Sequence, residues 1–109
     1  MRETLIIKHS VGGKIFVDTA KQPLPYEIRE QPDGCFCITA QTEWNENIEQ
    51  LLELCRELNV FIFREYDDRP TVKTWYYVNE GPVEYNRDRR ELSVTAASKI
   101  EYVPDNYLG

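Results

Sequence analysis

Histidine is nearly missing from this chain: His9 is the only one in 109 residues. Any chemistry that needs an imidazole must use that side chain. Leu5, Ile7 and Val11 share its strand face, so a histidine satisfied at the core edge is the plainer reading, and nothing indicates a triad around it. Cysteine is scarce and odd in number, with three residues, which argues against a disulfide framework and makes a reducing cytoplasm the expected compartment. No apolar run approaches the roughly 18 residues that a membrane helix needs. The start, MRETLIIKHS, is charged and lacks a cleavage-site pattern, so neither a signal peptide nor an anchor is expected. Basic residues are outnumbered, 13 Lys and Arg against 19 Asp and Glu, for a net charge of −6. That balance argues against direct nucleic-acid binding through a basic footprint. It leaves open a basic protein partner, or mimicry of a polyanion. A phosphate loop is absent too: GGK at 12–14 has neither common spacing and serves better as a turn.

What the chain does have is one clear amphipathic stretch, residues 42–60, TEWNENIEQLLELCRELNV. At about 100° per residue, Trp44, Ile48, Leu51, Leu52, Leu54, Cys55 and Leu58 fall on one side, an apolar stripe as wide as a core contact needs. Thr42 can cap the start, and Glu43 and Glu46 suit the positive end of the dipole. The spacing predicts a helix over about 43–58. Its other side carries Glu46, Glu49, Glu53 and Glu57, relieved by Arg56.

Strands flank this helix. Residues 4–11 and 14–19 read as a hairpin about Gly12 and Gly13. A three-residue loop pairs Val11 with Ile15, His9 with Val17 and Ile7 with Thr19, keeping faces clean that a two-residue loop mixes. Prolines keep the connector at 20–25 extended. A second hairpin turns at Pro32, Asp33 and Gly34. It sets Glu30, Ile28 and Tyr26 against Phe36, Ile38 and Ala40 on one face, and Gln31, Arg29 and Glu27 against Cys35, Cys37 and Thr39 on the other. After the helix, VFIFREY at 60–66 is apolar on both faces and reads as a central strand. DDRP turns at 67–70, TVKTWYYV forms a long strand at 71–78, and NEGP turns again at 79–82, with 83–85 pairing back. A charged loop at 86–91 precedes one bent strand or two short ones over 92–102, a helix over 89–100 being the alternative; 103–109 reads as an extended tail. The expected fold is α+β, a single domain over 1–109, with a mostly antiparallel sheet of six to eight strands and one helix packed on one face.

One helix covers only one side of a sheet, so Phe61, Phe63, Trp75 and Tyr77 are expected on the uncovered side. Exposed apolar patches of that kind mark binding surfaces, and Trp and Tyr dominate binding hot spots. Ordinary core and surface packing is the plainer alternative. The glutamate row of Glu46, Glu49, Glu53 and Glu57 is either a solvated face or a docking surface for a basic, nucleic-acid-binding protein. Arg87, Arg89 and Arg90 can hold a phosphate or an acidic peptide, although Asp88 and Glu91 compensate them. Cys37 has Arg29 opposite it, which favours a thiolate, but semi-buried structural thiols are the commoner case. Glu65, Asp67 and Asp68 form an acidic turn that supplies only part of a metal-dependent hydrolase site. No cofactor, metal or catalytic residue is expected. The leading expectation is a small acidic protein that binds and regulates or inhibits a protein partner through the glutamate row, Trp75 and Tyr77. It shares its composition profile with phage and mobile-element antitoxins, immunity proteins and inhibitors of host defence. The alternatives are a nucleotide or small-molecule sensor, with its pocket under the helix or at a homodimer seam, and the hydrolase.

Overall fold

Alternation of apolar and polar residues governs the structure, a computed structural model that describes residues 1–78 and 82–103. In order, these residues form β1 (Arg2–His9), β2 (Ile15–Asp18), β3 (Tyr26–Glu30), β4 (Phe36–Gln41), α1 (Glu46–Glu53), β5 (Leu58–Glu65), β6 (Val72–Val78), β7 (Val83–Asn86), β8 (Glu91–Ala96) and β9 (Ser98–Tyr102). Most of the turn expected at 79–82, and all but Val103 of the expected tail, lie outside the described residues.

The fold is α+β, antiparallel and with a single helix, among the described residues. The layers are arranged differently from the expectation. Nine strands divide into two sheets, β2-β1-β5-β6-β9 and β3-β4-β8-β7. Leu5, Ile7, Val60, Ile62 and Val78 from the first meet Ile38, Ala40, Leu92, Val94 and Ala96 from the second in one buried cluster. Tyr76 meets Phe36 edge-on across it, with ring centroids 5.5 Å apart. The core is therefore sheet against sheet, and the helix adds Ile48 and Leu51 to it. An eight-residue helix is too short to roof a five-stranded sheet, so a second sheet covers that side instead.

A two-stranded ribbon runs from one layer into the other. β6 pairs with β9 in the first sheet, while β7 pairs with β8 in the second. At the corner, Ala97 N–H donates to the Tyr77 carbonyl at 3.0 Å and Thr95 N–H donates to the Pro82 carbonyl at 3.0 Å. The break expected near Ser98 is this corner, at Ala97, and the helical alternative over 89–100 is excluded.

The second hairpin has the expected register at every pair from Tyr26–Ala40 to Glu30–Phe36. Gly34 takes a left-handed φ of 89° at its turn. The first hairpin departs from expectation: Ile7 pairs with Val17 and Ile6 with Asp18, and then Lys8 pairs with Ile15. The slip leaves Phe16 as an extra residue, so Phe16 and Val17 are both buried. A bulge that buries two neighbouring apolar residues is worth more than a regular ladder that exposes one of them.

The helix is shorter than its periodicity implies. Asn45, extended at φ −155°, caps it in place of Thr42, its side-chain oxygen accepting from Ile48 N–H at 3.0 Å. At the other end, Leu54 N–H is shared between the Gln50 and Leu51 carbonyls, and a tight turn follows. Leu58 then pairs with His9 and Val78, so it belongs to β5. Its apolar side chain suited either element, and the sheet ladder decided between them. Trp44 also leaves the helical stripe: it precedes α1 and is 38% exposed.

Candidate functional site

The two sheets turn different surfaces outward. Directly opposed residues of an antiparallel pair share a face. In the four-stranded sheet the outward residues include Glu27, Arg29, Cys37, Thr39, Gln41, Glu84, Ser93 and Thr95, an ordinary polar surface. The outward rows of the five-stranded sheet are unlike this. One row runs Ile6, Phe61, Trp75, Ile100; the rows beside it carry Phe63, Lys73 and Tyr102, and Lys8, Asn59 and Tyr77.

The rings on this face touch one another. Trp75 and Tyr77 meet edge-on at 5.8 Å, and Phe61 and Phe63 lie 6.3 Å apart. Trp75 is steered by its indole N–H, which donates to Asn59 Oδ1 at 3.0 Å. The Lys73 ammonium sits 4.2 Å from the Phe61 ring centre and 5.3 Å from that of Phe63, and Lys8 approaches Phe61 at 5.4 Å. Lysine stems laid over rings cover apolar surface while keeping the charge in water. They shelter Phe61 to 8% exposure, whereas Tyr77 is 45% and Ile100 55% exposed. Among the described residues no strand or helix packs over this face. The structure thus gathers Trp75 and Tyr77 with Phe61 and Phe63, as the sequence implied. Ile6, Ile100, Tyr102 and the two lysines were missed. Their alternation was visible, but only the register shows which strands stand side by side.

The glutamate row is cut short. Glu46, Glu49 and Glu53 stand exposed on α1, but Glu57 lies beyond the helix. Its carboxylate meets His9 Nε2 at 2.6 Å, while His9 Nδ1 accepts from Gly12 N–H at 3.0 Å. Both ring nitrogens are engaged, so the histidine is structural and has no free lone pair to act as a base.

The three arginines do not converge on an anion site. Arg87 lies over the Trp44 ring at 4.3 Å, and Trp44 packs against Tyr85 at 5.4 Å. Arg90 donates to the Glu43 carboxylate at 3.2 Å from a left-handed φ of 52°. Arg87 and Arg90 thus clamp the segment that leads into the helix. Arg89 and Arg90 border an open depression of about 240 Å³, and another of about 250 Å³ lies beside Arg64, Tyr76 and Lys99. Both fall short of the several hundred Å³ common for ligand cavities.

The thiol and metal expectations also meet the structure here. Arg29 does stand opposite Cys37. Burial raises the Cys37 thiol above its ordinary value, Glu91 adds to the rise, and Arg29 offsets them only in part. The thiolate that Arg29 would favour at Cys37, the less common alternative, is therefore disfavoured. Arg69 stacks on Tyr66 at 4.2 Å beside Asp68 in the acidic turn. Among the described residues no three His, Cys, Asp or Glu side chains gather where a metal could be held. No helix among them is long and apolar enough to cross a membrane.

In class, this is an α+β chain of two antiparallel sheets whose distinguishing feature, among the described residues, is an aromatic sheet face. No family model matches the chain, and no curated protein or solved structure matches it either.

Proposed function

We propose that this chain is a small acidic protein that binds a protein partner and regulates or inhibits it, in the manner of an inhibitor, antitoxin or immunity protein. The observation that carries the reading is the outward face of the five-stranded sheet. It holds contiguous rings where the other sheet holds polar side chains, and Trp75, Tyr77 and Ile100 are left accessible to different degrees. Water contact with such a face is costly, and burial against a partner removes the cost. Rigid Trp and Tyr side chains lose little entropy on binding. The exposed carboxylates of Glu46, Glu49 and Glu53 offer a second contact, suited to a basic partner such as a nucleic-acid-binding protein. A reducing cytoplasm is the compartment proposed, in keeping with free thiols at Cys35, Cys37 and Cys55.

The test is affinity capture from the native cell followed by titration of the purified partner. Trp75→Ala with Tyr77→Ala is expected to weaken binding by about thirtyfold, the effect of losing one hot spot of about 2 kcal/mol. Reversing Glu46, Glu49 and Glu53 to lysine is expected to slow association and reduce its salt dependence. Binding that survives both sets of substitutions would remove the proposal.

A further inference from the structure

β9 is an outer strand of the five-stranded sheet, paired with β6 on one side and with no strand on the other among the described residues. Open edges invite pairing with another chain, and proteins usually blunt them. The opposite edge, β2, is four residues long and carries the bulge. β3 is flanked by Pro25 and Pro32, and its own Glu27 and Arg29 pair with each other at 2.8 Å. Among the described residues β9 has no such protection. Its sequence is Ser-Lys-Ile-Glu-Tyr, its first four residues are exposed, and Ile100 stands 55% exposed on the aromatic face. Lys99 has the Phe36 ring at 5.2 Å, but neither Lys99 nor Glu101 has an ion-pair partner among the described residues.

We propose that β9 is the seam of a homodimer in which two copies pair β9 with β9, antiparallel, about a two-fold axis through Ile100. In that register Lys99 of each copy lies directly opposite Glu101 of the other, on one face of the joined sheet. On the other face Ile100 meets Ile100 and Ser98 meets Tyr102. The strand is thus complementary to itself in charge. Its neighbouring registers are not. Sliding by two residues sets Lys99 against Lys99 or Glu101 against Glu101, and like charges directly opposite destabilise a pair. Sliding by one residue turns the aromatic face of one copy to the side on which the other copy has its core. The favoured register also makes the two aromatic faces continuous, through Trp75, Ile100, Ile100 and Trp75. This proposal goes beyond the partner reading and does not depend on it: the seam is a strand edge and the partner reading rests on Trp75 and Tyr77, with Ile100 at the border of both.

A five-residue seam is smaller than a standard interface, so the association falls in the micromolar range. Sedimentation velocity on the full chain over roughly 5 to 500 µM reads the dissociation constant, and circular dichroism checks that each variant keeps the fold. Lys99→Glu and Glu101→Lys alone each place like charges opposite one another on both sides of the axis. Each is expected to weaken the dimer about tenfold, equivalent to about 1.4 kcal/mol. The double variant restores the pairing and is expected to return to within about threefold of the parent. Mixing the two single variants is expected to give a heterodimer tighter than either homodimer. A parent chain that stays monomeric across the range would overturn the proposal. So would a dimer indifferent to the single reversals, or a double variant as weak as the singles. Partner capture at concentrations below the dissociation constant tests the rings separately, so the two readings can fail independently.

Discussion

Tyr76 and Tyr77 are consecutive on β6 and point to opposite sides of the sheet, so replacing each with alanine tests the two-sidedness on which the functional reading stands. Tyr76 is 4% exposed and packs edge-on against Phe36, while Tyr77 is 45% exposed beside Trp75. Removing a core aromatic costs about 3–5 kcal/mol. A chain of this length has about 5–15 kcal/mol of stability in total. At about 4 °C per kcal/mol, Tyr76→Ala should lower Tm by roughly 12–20 °C. Tyr77→Ala loses partial burial and one ring pair, worth about 0.5–1.5 kcal/mol. That is roughly 2–6 °C on the same scale. Thermal unfolding followed by circular dichroism, with urea titrations for the free energies, measures both. Equal costs would mean that the outer ring belongs to a buried layer, and the case for a binding face would then collapse.

The Thr74 side chain is buried, with no hydrogen-bond partner for its hydroxyl among the described residues, so Thr74→Val should raise the urea-derived stability by about 1–2 kcal/mol. Asn45→Ala removes the cap on Ile48 N–H and should cost about 1 kcal/mol in the same titration, with Thr42→Ala nearly silent. Burial, then the hydrogen bond to Glu3, push the Tyr26 phenol well above its ordinary 10.0, and burial raises Tyr76 in the same direction. The folded chain holds these protons after the unfolded chain has released them, so stability should be full below about pH 10 and fall as pH rises beyond it. Urea midpoints taken across that range should show the fall, and Tyr26→Phe should flatten it. Cys37 should react with a neutral alkylating reagent more slowly than an exposed thiol, and Glu91→Gln should quicken it.

The second hairpin was legible residue by residue because Pro32, Asp33 and Gly34 fix the turn, and a fixed turn fixes the register. The first hairpin was not. Ile15, Phe16 and Val17 are apolar in succession, so local alternation allows more than one pairing, and burial of both Phe16 and Val17 selected the bulged one. The helix was legible in kind, but its end was not, because Leu58 serves a helical stripe and a strand equally well. The candidate face was half legible. Trp75 and Tyr77 announced themselves by composition and alternation, whereas Ile6, Ile100 and the covering lysines come from strands distant in sequence.

Local chemistry in the chain was enough to set the class of fold, the turn at 32–34, the presence of one amphipathic helix and the surplus of rings on β6. Only the tertiary structure decided that the strands divide into two sheets, that β6 with β9 in one sheet passes into β7 with β8 in the other, and that the rings line up on the uncovered side. The reason is physical: alternation tells which residues share a face within a strand. Which strands lie side by side depends on contacts between residues far apart in the chain, and no local pattern encodes these.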